Sequence, residues 1–238
     1  MAVVLPESPL RHPERLHPML WRASQLARPA TPVLPTGFAS LDPLLPGRGW
    51  PLGLMVQCQV ARPGTGELQL LRHALRQLQP PRPVVLVNPP AVPHIQCWAN
   101  WQLHHLPLLW LQASTPANTL WATEQLLRHN LCSAVLCWAP VVPSAAQRKL
   151  NLAAQAGNSL FFLFQPGSAP SSRGAAPLRL ALSPAPAGLS LRILKRSGPQ
   201  VHSALFLPLQ GGTPAATSGR GVPAPGFAPR PVSQLLHE

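Results

Sequence analysis

Acidic side chains are scarce in this 238-residue chain: six stand against nineteen lysines and arginines, a formal net charge of +13. Five of the six occur by Glu124, residues 125 to 237 contain none, and the only aspartate is Asp42. Chemistry that needs paired carboxylates or an acidic cage for Mg²⁺ therefore lacks its ligands. No uncharged apolar run reaches the ~18 residues that span a bilayer. No N-terminal apolar segment precedes a cleavage site, so a cytosolic protein with no membrane partner is expected. The four cysteines, Cys58, Cys97, Cys132 and Cys137, fall mostly in apolar runs without paired secretory spacing, which predicts reduced, buried thiols. His94/Cys97 and His129/Cys132 are each separated by two residues, but the pairs lie on different elements and neither resembles a zinc knuckle. No metal or other cofactor is expected. The chain has no G-x-S-x-G elbow and no Cys/His pair with an orienting acid, and His104–His105 reads as a surface loop.

The positive charge attracts polyanions, so nucleic acid or an acidic protein is a physically reasonable partner. Seventeen of the nineteen basic residues are arginine, which also follows from a GC-rich genome, and no basic cluster is interleaved with aromatics as in single-strand binders. With 46% hydrophobic residues, the chain can bury one sizeable core with tails.

Residues 1–35 read as an arm with one short helix in "PERLHPMLWRASQLA". From 53 onward strands and helices alternate: "GLMVQCQV", "GELQLLRHALRQLQ", "RPVVLVNPP", "PHIQCWANWQL", "LPLLWLQ", "TPANTLWATEQLLRHN" with Thr115 as N-cap, "CSAVLCWA", "PSAAQRKLNLAAQAG" and "SLFFLFQP". This alternation predicts an α/β fold, a doubly wound and mainly parallel sheet with helices on both faces. "LRLALSPAPAGLSLRILKRSG" predicts a C-terminal antiparallel hairpin. Residues 36–200 are thus assigned to the core and 201–238 to a tail, of which the Pro/Gly-rich part from about 210 onward is too poor in apolar surface to order itself.

The segment "ARPGTGEL" has the place of a phosphate loop, strand before and helix after. In the form G-x-x-x-x-G-K-[ST], backbone N–H groups cradle phosphate, the lysine reaches the β and γ oxygens and the hydroxyl binds Mg²⁺. Here Ala61 stands at the first glycine, Gly66 at the second, Glu67 at the lysine and Leu68 at the hydroxyl. A glutamate repels a triphosphate and a leucine ligates no metal. After "VVLV" comes Asn88, and after "AVLC" comes Trp138, where a strand-end acid would be needed. The loop reads as a vestige, and the chain is not expected to be an enzyme.

The segment "TGFASLDPLLPGRGWPLG" resembles the lead-in to the phosphate loop of RecA-type recombinases. Together with "GELQLL", "LWATEQLLRHNLCSAVLCW", "RKLNLAAQAGNSLFFLFQP" and the terminal "LRILKRSG", it resembles the ImuA family of RecA-like proteins associated with translesion DNA synthesis. Arg48 stands where that pattern usually has glycine, and the Pro-rich tail is unmatched. The resemblance implies a RecA-like core acting as a non-catalytic adaptor in the SOS response. Its implied partners are an ImuB-like inactive Y-family protein and an error-prone C-family DNA polymerase, with RecA a further candidate and DNA contacted directly or through partners. The stretch from "GELQLL" to "LFQP" also resembles the SulA family of SOS-induced cell-division inhibitors, which bind the tubulin-like division protein; this is the alternative. Adaptors act through surfaces, and hot spots favour Trp and Arg. By analogy with the recombinases, Leu20 and Trp21, with Arg22 and Arg28, are the candidate partner contacts. Arg192, Lys195 and Arg196 are the candidate phosphate contacts. The tryptophans 98, 101, 110, 121 and 138 are assigned to core patterns.

Overall fold

The structure, a computed structural model, describes residues 31–167, 174–198, 201 and 203–209. The candidate partner contacts Leu20, Trp21, Arg22 and Arg28 lie outside the described residues, as do the arm's helix and the chain from 210 onward.

Short apolar runs form the centre of the sheet because both of their faces are covered. Strands β3 (Met55–Val60) and β4 (Val84–Val87) are buried at every position, as is β7 (Leu160–Pro166) apart from its last residue. With β5 (Leu108–Leu111), β6 (Ala134–Trp138), β8 (Leu178–Ala185), β9 (Gly188–Lys195) and β10 (Leu205–Pro208) they form one eight-stranded sheet of order β10-β9-β8-β3-β7-β6-β4-β5. The pairs from β8 to β5 are parallel, whereas β9 runs antiparallel to both β8 and β10. Side-chain alternation splits the core in two. Val56, Cys58, Val84, Leu86 and Phe162 meet α1 (Glu67–Arg76) and α2 (Ile95–Asn100) on one face. Met55, Val85, Val87, Val135 and Phe161 meet α3 (Pro116–Arg128) and α4 (Ser144–Gln155) on the other. The helix α3 begins as its sequence predicts: Thr115 Oγ1 accepts from the Asn118 N–H at 3.1 Å, with Pro116 at the first turn.

The lead-in is folded onto this core. A two-residue ladder joins β1 (Val33–Leu34) to β2 (Trp50–Pro51), and between them the Asp42 carboxylate accepts from the Thr36 N–H at 2.9 Å. Trp50 is fully buried and meets Phe162 edge-on at 5.1 Å between ring centroids. Gly53, at φ 70°, turns the chain into β3 so close to α4 that a Cβ there would sit 2.5 Å from the Gly157 carbonyl oxygen.

Three expectations change. Strand β1, paired with β2 in a sheet of its own, begins ahead of residue 36, and β10, the outer strand of the eight-stranded sheet, lies within the segment assigned to the tail. β10 has only four residues, and Leu207 alone is fully buried; its place is fixed by pairing with β9 rather than by a hydrophobic period. Trp110 is 46% exposed and Trp121 65% exposed, against a core assignment that Trp98 does fit. Trp110 lies on β5, at the end of the sheet among the described strands, and Trp121 lies on the outer side of α3.

Candidate functional site

The chain passes from β3 to α1 through residues 61–66 at the carboxyl edge of the sheet. There β3 is flanked by β7 and β8 rather than by β4, the next strand in sequence. In open α/β sheets ligands bind at such switch points, against the N-terminus of the following helix. The loop takes the required path through Gly66, whose φ of 114° favours glycine. Two of its backbone donors are already engaged. Glu67, the first residue of α1, turns its carboxylate back over the loop, where Oε1 accepts from the Gly64 N–H at 2.9 Å and Oε2 from the Gly66 N–H at 3.0 Å. The side chain is only 3% exposed. The loop's own carboxylate thus occupies amide donors that would otherwise face phosphate, and the positive end of the helix dipole stabilises its charge. Thr65 Oγ1 donates to the Arg62 carbonyl, Ala61 is exposed, and half-buried Leu68 packs on the core.

The strand ends beside the loop carry structural rather than acidic groups. Asn88, at φ 50° after β4, accepts from the Ala113 N–H at 2.7 Å and donates to Thr119 Oγ1 at 2.8 Å, tying the end of β4 to the start of α3. Trp138 ends β6 and stacks on Phe164 at 4.9 Å. On β7, buried Gln165 accepts from Gln57 Nε2 at 2.5 Å. Between the loop and these ends opens a cavity of about 270 Å³, lined by Gly66, Glu67, Pro89, Pro90, Trp98 and Trp138 among others. A second, of about 280 Å³, shares Pro90 and Trp138 and reaches Asn88 and Gln165. The sequence places the loop correctly but gives no sign that Trp98 and Trp138 would share a wall. That juxtaposition depends on α2 and β6 meeting across the sheet edge.

Burial raises the thiol pKa values. The Cys58 thiol is pushed well above its ordinary 9.0 by desolvation and then by the Glu67 charge. Cys132 and Cys137 are pushed up to about 11 by desolvation, against smaller opposite effects of the Arg82 charge and the Thr123 hydrogen bond respectively. Cys97 is exposed, which corrects the expectation of burial for that thiol. Among the described residues no group of three or more His, Cys, Asp or Glu is placed to hold a metal ion, and no helix is long and apolar enough to cross a membrane.

The candidate phosphate contacts differ in their engagement. Arg192 is exposed on β9, Lys195 Nζ donates to the Gly174 carbonyl at 3.3 Å, and Arg196 donates to the Leu44 carbonyl, bracing the lead-in. Arg179 was not singled out by the sequence, where it reads as a solvent-facing position of an alternating strand. It is 8% exposed, paired across β8 with Gln57 of β3, and its Nε has no hydrogen-bond partner.

No family model matches the chain. Among curated proteins, the cell division inhibitor SulA of Edwardsiella piscicida is 32% identical over 99 residues, covering 34% of this chain and 59% of that protein. The chain therefore spans less than two thirds of the length of the relative it matches. Among solved structures, SulA from Pseudomonas aeruginosa aligns at 27% identity with a TM-score of 0.38, over 47% of this chain and 96% of that one. The chain is thus similar to SulA over part of its length.

Proposed function

We propose that this chain is a non-catalytic protein of the bacterial DNA-damage response, built on a RecA-like core and acting by binding other proteins. The observation that carries this reading is the Glu67 carboxylate seated on the Gly64 and Gly66 N–H groups, which takes two donors of the loop and sets a negative charge where a lysine would meet the phosphates. The similarity to SulA favours cell-division inhibition, in which the surface of the core captures the tubulin-like division protein. A second reading, the ImuA-like adaptor between an ImuB-like protein and an error-prone polymerase, is favoured by two folded additions. These are the lead-in held by Asp42 and the β8–β9 pair, which adds directly to the central strand β3. On that reading the N-terminal arm with Trp21 docks the partner.

One pair of strains tests both. The gene is deleted and then restored, and ultraviolet-induced mutants and filamentous cells are counted after the same dose. Division inhibition predicts loss of filamentation with induced mutation intact. The adaptor predicts mutation at the spontaneous level with filamentation intact. Two unchanged phenotypes would contradict the proposal as a whole.

A further inference from the structure

A groove of about 470 Å³ lies between α1, the lead-in turn at 36–40 and the end of β10. Along α1 it is lined by Arg72, His73 and Arg76, and the two arginines, four residues apart, share one helical face. Half-buried Phe38 with Ala39 lines it from the turn, and Pro208 with half-buried Leu209 from β10. These walls are braced against each other. The Phe38 N–H donates to Thr36 Oγ1 at 3.0 Å and the Thr36 N–H to the Asp42 carboxylate at 2.9 Å. A Cβ on Gly37, at φ 85°, would sit 2.5 Å from His73 Cβ, so the turn lies directly on the helix.

The charge of this groove is not answered by the chain itself. No acid lines it. Of the three carboxylates among the described residues, Asp42 already accepts from Thr36, Glu67 from its own loop, and Glu124 lies on α3, which packs on the other face of the sheet. Arg76 donates to the Gln102 side-chain oxygen, a neutral acceptor that leaves its charge uncancelled. Residues 1–30 contain four arginines and two glutamates, 168–173 one arginine and no acid, and 210–238 two arginines and one glutamate, so each stretch is net positive and is repelled. A cleft of one sign focuses its field and draws the opposite charge. Guanidinium forks pair well with carboxylates, and arginine beside apolar pockets is where interface energy concentrates. A bare phosphate backbone has nothing to set against Phe38 and Leu209. We propose that this groove binds an acidic segment of a partner protein, its carboxylates on Arg72 and Arg76 and an apolar side chain against Phe38 and Leu209. This assignment rests on the protein-binding reading and names the chemistry of its partner.

The test uses the full chain and a fluorescent synthetic peptide, (Glu-Glu-Leu)₃, with anisotropy as the readout. Arg72→Glu with Arg76→Glu is expected to weaken binding by about tenfold or more, because like charges then face one another. Arg148→Glu with Lys149→Glu makes the same change of charge at exposed positions of α4 and is expected to alter binding by no more than about twofold. Arg72→Gln with Arg76→Gln keeps good helix formers and is expected to weaken binding at an unaltered urea midpoint, which separates lost charge from lost fold. Equal weakening by the two glutamate pairs would mean that net charge alone holds the peptide, and would overturn the proposal. So would the absence of saturable binding to the unaltered chain. An oligothymidylate that binds more tightly than the peptide, and is lost with Arg72 and Arg76, would assign the groove to nucleic acid instead. None of these results alters the strain phenotypes, which test the protein-binding reading separately.

Discussion

Glu67 is buried and accepts from two backbone donors, so its removal takes their protein acceptor from the Gly64 and Gly66 N–H groups. Glu67→Ala is expected to cost about 1–3 kcal/mol in urea unfolding, and Glu67→Gln, which keeps one acceptor, less. An unchanged midpoint for Glu67→Ala would mean the carboxylate does not hold the loop. Restoring lysine and a hydroxyl together, as Glu67→Lys with Leu68→Thr, is expected to produce no Mg²⁺-dependent ATP hydrolysis, because Asn88 and Trp138 still end the strands where an acid is needed. The thiols give a second residue-level prediction. A thiol pKa raised in the folded state means the fold holds the proton more tightly than the unfolded chain. The stabilisation is then complete below the unfolded value near 9.0 and is lost as pH rises through about 11 for Cys132 and Cys137. The urea midpoint is expected to fall across that window, and less steeply in Cys132→Ala with Cys137→Ala. At pH 8 a thiol reagent is expected to modify Cys97 alone before denaturation, since the other three are buried.

At the scale of elements, ends matter as much as interiors. Thr115→Ala removes the acceptor for the Asn118 N–H and is expected to cost about 1 kcal/mol in the same unfolding measurement. A cost near zero would mean water replaces the cap. The central strands and four helices are legible in the sequence because each carries its own signal: an unbroken apolar run such as Val84–Val87, or leucines at helical spacing as in α1. β1 and β10 are not legible, since two and four residues are too few to show a period and their partners come from elsewhere in the chain. The same reason explains Trp110. Its run reads as a buried strand, and only the sheet order reveals that β5 ends the sheet among the described strands.

Across the whole molecule, the sequence shows where the loop departs from the phosphate-loop template but not how its side chains are arranged. Ala61, Glu67 and Leu68 stand at the template's ligand positions. That Glu67 folds back on the loop depends on side-chain geometry, and the meeting of Trp98 with Trp138 depends on topology. A strongly positive chain also does not become a basic patch by composition alone: Lys195 and Arg196 are turned to backbone carbonyls. The arm offers a test of the protein-binding account at this scale. Removing residues 1–30 is expected to leave the core's unfolding midpoint unchanged and to weaken co-purification with the partner that the genetic experiment identifies; undiminished co-purification would place the contact on the core instead. The most direct measurement on the central claim is calorimetric titration of the full chain with ATP and Mg²⁺, followed by an assay for released phosphate. The account predicts no saturable binding at micromolar nucleotide and no turnover. Micromolar binding with Mg²⁺-dependent phosphate release would show that Glu67 yields its amides to a nucleotide, and that this is a working ATPase.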